Sequence, residues 1–217
     1  MIDGQQARVD HDRSHARRDQ VLCAAAECFR ARGFHAASMA ELAKRAGMSV
    51  GHIYHYFENK EAIIEAIVER DLAVSMERLE QLANAADAEE ALLSGVRDNL
   101  AQCSTQQRML LRLEVLAEAA RSPRIAARVR HADAIARQRF LEVLAQHPAF
   151  STLPHDDLSA RAEAIVAIIE GLSLRALRNP DLDVHRLVNE VRPALRVLMR
   201  AASHDEFPAG EPAAPPR

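Results

Sequence analysis

Residues 38–57 read "SMAELAKRAGMSVGHIYHYF". The stretch divides at Gly47. Before it, Met39, Leu42, Ala43 and Ala46 recur at helical spacing and make one apolar face. Ser38 and Glu41 read as a capping box, which satisfies free N–H groups at the start of that helix. Gly47 tolerates the positive φ of a tight turn. Ser49 caps a second, short helix running to about Tyr56, and Asn59 caps another starting at Lys60. Two helices that cross steeply need a small residue at their closest approach, and Ala43 stands there. Ile53, Tyr56 and Phe57 share one side of the second helix and should face inward, with Leu42, Ala46 and Met48 completing a small core. Such a unit is a helix-turn-helix, whose second helix enters the major groove of DNA.

The residues left over on the second helix are the candidates for DNA contact. Ser49, Val50, Gly51, His52, Tyr54 and His55 make its outward face. Gly51 allows close approach of the backbone. Tyr54 and His55 can donate to phosphates or touch thymine methyls. Ser38 and Met39, opening the preceding helix, join the set. Lys60 begins the following helix, where its ammonium and the free backbone N–H groups both favour a phosphate. Arg17 and Arg18 flank the first helix and can reach the DNA backbone. His52 and His55 are three apart on one helix, a spacing a metal could use. No nearby Cys or carboxylate completes such a site, so no metal is predicted.

Outward from the motif, the pattern is helical throughout. A first helix is predicted over 17–32, with Leu22, Ala25, Ala26 and Phe29 as its apolar face and Gly33 as its stop. Further helices read at 60–84, 87–103, 106–121, 124–147, 156–178 and 184–202. Ser122-Pro123 is a cap followed by proline at the first helical position, Asn179-Pro180 a stop and Asp183 a new cap. Pro193 should kink the last helix or start another. The fold class is all-α. An N-terminal domain over 16–60 is followed by a larger helical domain over 61–203. Residues 1–15 and 204–217 read as disordered tails, the second because of its proline and glycine.

Composition sets the class of protein. Hydrophobic residues are 48% and charged residues 27% of 217, as in an ordinary globular chain. No apolar run is long enough for a membrane span, and the N-terminus has no apolar signal region, so a cytoplasmic protein is expected. The net charge of -3 is uneven: residues 1–60 hold 9 basic against 7 acidic residues, the remainder 19 against 24. A mildly basic front on an acidic body fits a DNA-contacting head joined to something else. Cys23, Cys28 and Cys103 are read as buried thiols, although Cys23 and Cys28 lie about 140° apart around a helix.

The stretch "ELAKRAGMSVGHIYHYFENKEAI", preceded by "AAAECFRARGFHAASM", closely resembles the DNA-binding domain of TetR/AcrR-family transcriptional regulators. The shared features are an A-x-x-x-G core, a short helix ending in an aromatic pair, and F-x-N/S-K-E. The likeness covers roughly residues 17–72. His52 departs from the small Thr, Ser or Ala usual at its position, which bears on base preference. The resemblance implies an all-helical homodimer whose larger domain binds a small effector. Effector binding spreads the two heads and releases a palindromic operator. "IIEGLSLRAL" followed by "NPD" also looks like the C-terminal segment of the choline-responsive branch.

On that reading the last two helices supply the dimer interface, through Ile165, Ile168, Ile169, Leu172, Leu195 and Leu198. Candidate pocket residues are Met109, Glu114, Glu118, His131, Phe140 and Glu170. The carboxylates would suit a cationic effector, and a hydrophobic one is the other option; Met109 and Phe140 have an alternative place in the core, and His131 one on the helix surface. Glu114 and Glu118 have an alternative place on the solvated face, and Glu170 an alternative as a structural ion pair with Arg175 or a partner's arginine. No cofactor is implied. No phosphate loop, nucleophile setting or metal spacing supports an enzyme. A DNA-binding adaptor whose body holds a protein partner is the competing reading.

Overall fold

The computed structural model describes residues 3–101, 103–147, 150 and 153–199, with side chains over 13–97, 107–147, 150 and 153–199. These residues form nine α-helices and no strand: α1 (Asp3–Ala36), α2 (Met39–Ala46), α3 (Val50–Tyr56), α4 (Lys60–Ala83), α5 (Ala88–Ala101), α6 (Cys103–Ala119), α7 (Pro123–Ala145), α8 (His155–Arg178) and α9 (Val184–Leu198). Their boundaries follow the local signals. Ser38, Ser49, Asn59, Ser122 and Asp183 each accept an N–H from the first turn of the helix they precede.

Two elements differ from expectation. α1 begins at Asp3, so residues 3–15 are helical where a disordered tail was predicted. The segment lacks proline, so a helix nucleated downstream can propagate through it. α9 passes through Pro193 as one helix. Pro193 and Asn189 are both exposed, so the carbonyl that loses its partner is on the solvent side. The tail 204–217 lies outside the described residues.

Two apolar cores organise the chain. The first gathers Val21, Leu22, Phe29, Leu42, Ile53, Phe57, Ile63 and Ile67 from α1–α4, and takes Leu111 and Val115 from α6 and Ile125 from α7. It therefore crosses the division expected after residue 60. The second holds Leu82, Leu93, Phe140, Leu144, Phe150, Ile165, Leu172, Val188 and Leu195. Ile165, Leu172 and Leu195, at 0%, 7% and 1% exposure, fill this protomer's own core instead of facing a partner. α8 is apolar around most of its girth, and its own neighbours take that stripe. Ile168, Ile169 and Leu198 are half-buried at the rim.

α4 joins the two cores. Its buried residues are Ile63, Ile64, Ala66, Ile67 and Val68 at one end and Leu82 at the other, with none over 69–81. α7 repeats the layout, buried at Ile125 and again from Phe140. From the first core across this uncored length the two helices are tied by charge: Arg124 to Glu65, Arg128 to Glu69 and Arg139 to Glu80, the last at 2.7 Å. Every pair is 59 residues apart in sequence, so α4 and α7 run parallel in one register.

Candidate nucleic-acid interface

The turn of the helix-turn-helix is set by Gly47, at φ 62° and ψ 34°. Met48 N–H donates to the Ala43 carbonyl at 2.9 Å, which closes the end of α2. Gln20 of α1 donates to the Ala46 carbonyl at 2.7 Å and fastens the same turn from outside. At the other end the capping box forms. Ser38 Oγ accepts from Glu41 N–H at 3.2 Å, and Glu41 Oε2 accepts from Ser38 N–H at 3.2 Å. The backbone N–H of Ser38, followed by Arg32, holds the Glu41 carboxyl below its usual range.

α3 is held by the side chains expected to anchor it. Ile53 and Phe57 are 0% and 3% exposed, and Tyr56 packs half-buried against the same core. The Tyr56 ring lies between His52 and His55, with centroids 5.4 Å and 5.2 Å away. Val50, Gly51, His52, Tyr54 and His55 are exposed, Tyr54 at 51%. The outward face is thus free while its base is fixed, which is what a reading surface requires. Ser49 is exposed, and its hydroxyl accepts from His52 N–H at 3.2 Å.

The remaining predicted contacts are placed less simply. Ser38 is engaged as a cap and Met39 is half-buried against the core. Arg17 is exposed and donates to Gln20 at 2.9 Å. Arg18 stacks on the Phe57 ring at 4.7 Å and lies 4.0 Å from Glu69, so it turns toward the body. There it borders an open groove of about 460 Å³ with Tyr54, His55, Glu65 and Arg124.

Lys60 corrects the sequence reading. Its ammonium donates to the carbonyls of Phe34 at 2.8 Å, His35 at 3.2 Å and Ala37 at 2.8 Å, and stands 4.5 Å from the Phe34 ring. An ammonium has three donors, and all three are engaged, so none is spare for a phosphate here. The cause lies at Gly33. With φ 77° and ψ 162° it occupies a region open essentially only to glycine, and it breaks α1. The break exposes carbonyls at a helix end, where a cation is favoured.

The predicted pocket residues do not converge. Glu114 Oε2 accepts from Phe34 N–H at 3.4 Å. Glu118, 6% exposed, places Oε2 at 3.0 Å from Nε2 of His35, a residue the sequence reading passed over. Both carboxylates therefore meet the broken end of α1; neither is on a solvated face or in a pocket. Phe140 belongs to the second core, Met109 is half-buried, and His131 is exposed on α7 beside Arg128. Glu170 is exposed and pairs with Arg112 at 3.5 Å, not with Arg175. Cys28 is buried, and burial raises its thiol pKa; Cys23 is exposed, against expectation, because it lies on the other side of α1. The side chain of Cys103 lies outside the described residues.

Two family profiles match the sequence. One, described as "Bacterial regulatory proteins, tetR family", covers residues 21–67. The other, "BetI-type transcriptional repressor, C-terminal", covers 88–200, more than half of the chain. The chain belongs to the TetR family. It has the N-terminal helix-turn-helix and the helical body of that family. A similar protein is the HTH-type transcriptional regulator UidR of Escherichia coli K12, 34% identical over 135 residues, which are 60% of this chain and 63% of UidR. The match thus spans under two thirds of that relative. The HTH-type transcriptional repressor Rv1474c of Mycobacterium tuberculosis is 33% identical over 108 residues, 50% of this chain and 54% of its own. Among solved structures, Salmonella enterica GusR superposes with a TM-score of 0.72 at 24% identity, covering 85% of this chain and 95% of that one. FadR of Bacillus subtilis, solved with stearoyl-CoA, gives 0.66 at 20% identity, covering 84% and 98%. Among the described residues no helix is long and apolar enough to cross a membrane.

Proposed function

We propose that this TetR-family chain is a cytoplasmic, ligand-responsive repressor. It binds a palindromic operator as a homodimer, and a small effector releases it. The observation that carries the DNA-reading part is the α3 surface. Val50, Gly51, His52, Tyr54 and His55 are exposed on a helix whose other side is locked into the core by Ile53 and Phe57. Arg17 supplies a phosphate contact beside it. Supporting the ligand-responsive part, a solved neighbour of the same fold holds stearoyl-CoA, and a relative carries the name repressor. The half-buried Ile168, Ile169 and Leu198 are what α8 and α9 retain for a partner subunit.

The test is a gel shift on the chain's own upstream DNA across a salt series. The expected result is a complex holding two subunits or a multiple of two. Tyr54→Ala should weaken it about tenfold, and Arg17→Ala should lower the salt slope by about one. Unchanged binding in both variants overturns the α3 docking. A folded dimer that shifts no DNA at low salt favours the adaptor reading.

A further inference from the structure

The two histidines of α3 share one aromatic neighbour and face different surroundings. Tyr56 packs half-buried on the first core, which fixes its ring. His52 lies against that ring at 5.4 Å between centroids and 33° between planes, and His55 meets it edge-on at 5.2 Å and 79°. Both separations fall in the favourable range for aromatic rings, about 4.5–7 Å. His55 borders the open groove toward the body, with Glu58, Glu65 and Arg124. His52 does not line that groove. It stands in the first turn of α3, the part of a recognition helix whose side chains reach base edges. It is exposed, and among the described residues neither nitrogen of its imidazole has a hydrogen-bond partner.

Gly51, the residue before it, is a second sign of a closely approaching partner. A Cβ added there would meet no atom within 4 Å, and its φ is not positive, so nothing within the chain requires glycine. Glycine inside a helix nonetheless weakens it relative to alanine. The missing side chain serves something outside the chain, a surface that comes up to the backbone of α3 beside His52. We infer that His52 reads a guanine in the major groove of the operator, through an imidazole N–H given to N7 and O6. The inference rests on the operator-binding reading and names the base that reading selects. Guanine offers two neighbouring acceptors. Adenine puts an amino donor beside its N7, cytosine offers a donor, and thymine sets a methyl beside its O4. A single N–H is satisfied by the first, meets a donor in the next two and a bulky group in the last. The negative field of the phosphates favours the imidazole as a donor. Held against Tyr56, the ring has little freedom left to lose on binding.

The experiment is selection of binding sites from a random duplex library by the full-length chain, run side by side for the parent, His52→Ala, His52→Gln and His55→Ala. The parent should select a G at one position of each half-site. His52→Ala should lose that preference and keep the rest of the site. His52→Gln should turn it from G toward A, since glutamine pairs with N6 and N7 of adenine. His55→Ala should keep the G. On the selected site, 7-deazaguanine at that position should weaken the parent at least about fivefold and His52→Ala not at all. If the alanine variant does not fold, the glutamine variant carries the same test. A selected site without such a G, a G retained in a folded His52 variant, or 7-deazaguanine acting equally on parent and variant overturns the inference and leaves operator binding standing. A folded parent that selects no sequence overturns the operator reading itself.

Discussion

The two sides of α4 carry the same residue types and use them differently. Toward α7, Glu65, Glu69 and Glu80 meet Arg124, Arg128 and Arg139, each guanidinium on a carboxylate one register step along. Hydrogen bonds to these partners raise the pKa of Arg124 and Arg139 and lower that of Glu80. Toward α6, two guanidiniums and one carboxylate act on Arg78, and Arg112 reaches its carboxylates at 3.5 Å. Matched, short pairs fix a register and keep α4 and α7 moving as one piece. Longer ones hold their helices less firmly. A count of charges along α4 would not separate the two; the pairing does.

Substitutions can be graded by how completely the native contacts are satisfied. The largest effect belongs to Ile53→Asp, which puts a charge into the first core. We expect a loss of at least about 4 kcal/mol in urea unfolding, enough to melt the head. A parent-like unfolding curve would show that the face of α3 is assigned wrongly. Next comes Lys60→Ala, which strips three carbonyls of their donor at the end of α1. Its expected cost is about 2 kcal/mol by the same measurement. An effect seen only on DNA affinity would return Lys60 to the phosphate-binding set.

Ser38→Ala should cost about 1 kcal/mol through the lost cap. The capping box also has a pH signature. Because the Glu41 carboxyl is depressed in the folded state, its contribution is fully present above the ordinary glutamate range. It is lost as pH falls through the folded value. Glu41→Gln should therefore flatten part of the decline in Tm between about pH 5 and pH 3. A decline identical in the two proteins would remove the box as its source.

Smaller effects test the α4 comparison directly. Glu65→Gln with Glu69→Gln should lower Tm by about 2 °C at low salt and by much less at 1 M salt, since exposed pairs are screened. Arg78→Gln should change Tm by about 1 °C or less, in either direction, because it relieves repulsion as it removes attraction. If Arg78→Gln costs as much as Lys60→Ala, the α6 side is a structural seam and the contrast drawn above fails.

The head was legible because its determinants are local. Caps at Ser38, Ser49 and Asn59, the turn at Gly47 and the inward face of α3 are each set within a few residues by backbone geometry. The body resisted reading wherever a residue's role depends on another helix. Glu114 and Glu118 sit in an apolar stretch of α6 that reads equally well as pocket or surface, yet they meet α1 eighty residues upstream. Ile165 and Leu172 are apolar on a helix apolar nearly all round, and periodicity cannot say which side faces home and which a partner.

By itself, then, the sequence determined the order of the helices, their caps, and a TetR-type reading helix with its outward residues. Those follow from short-range sterics and hydrogen bonding, which act between neighbours in the chain. Tertiary structure alone decided that Lys60 closes the end of α1, that α4 and α7 lock in parallel at a constant offset, and that Arg112 bridges Asp71 and Glu170. Charge acts through space, so its partners are known only once the helices have packed.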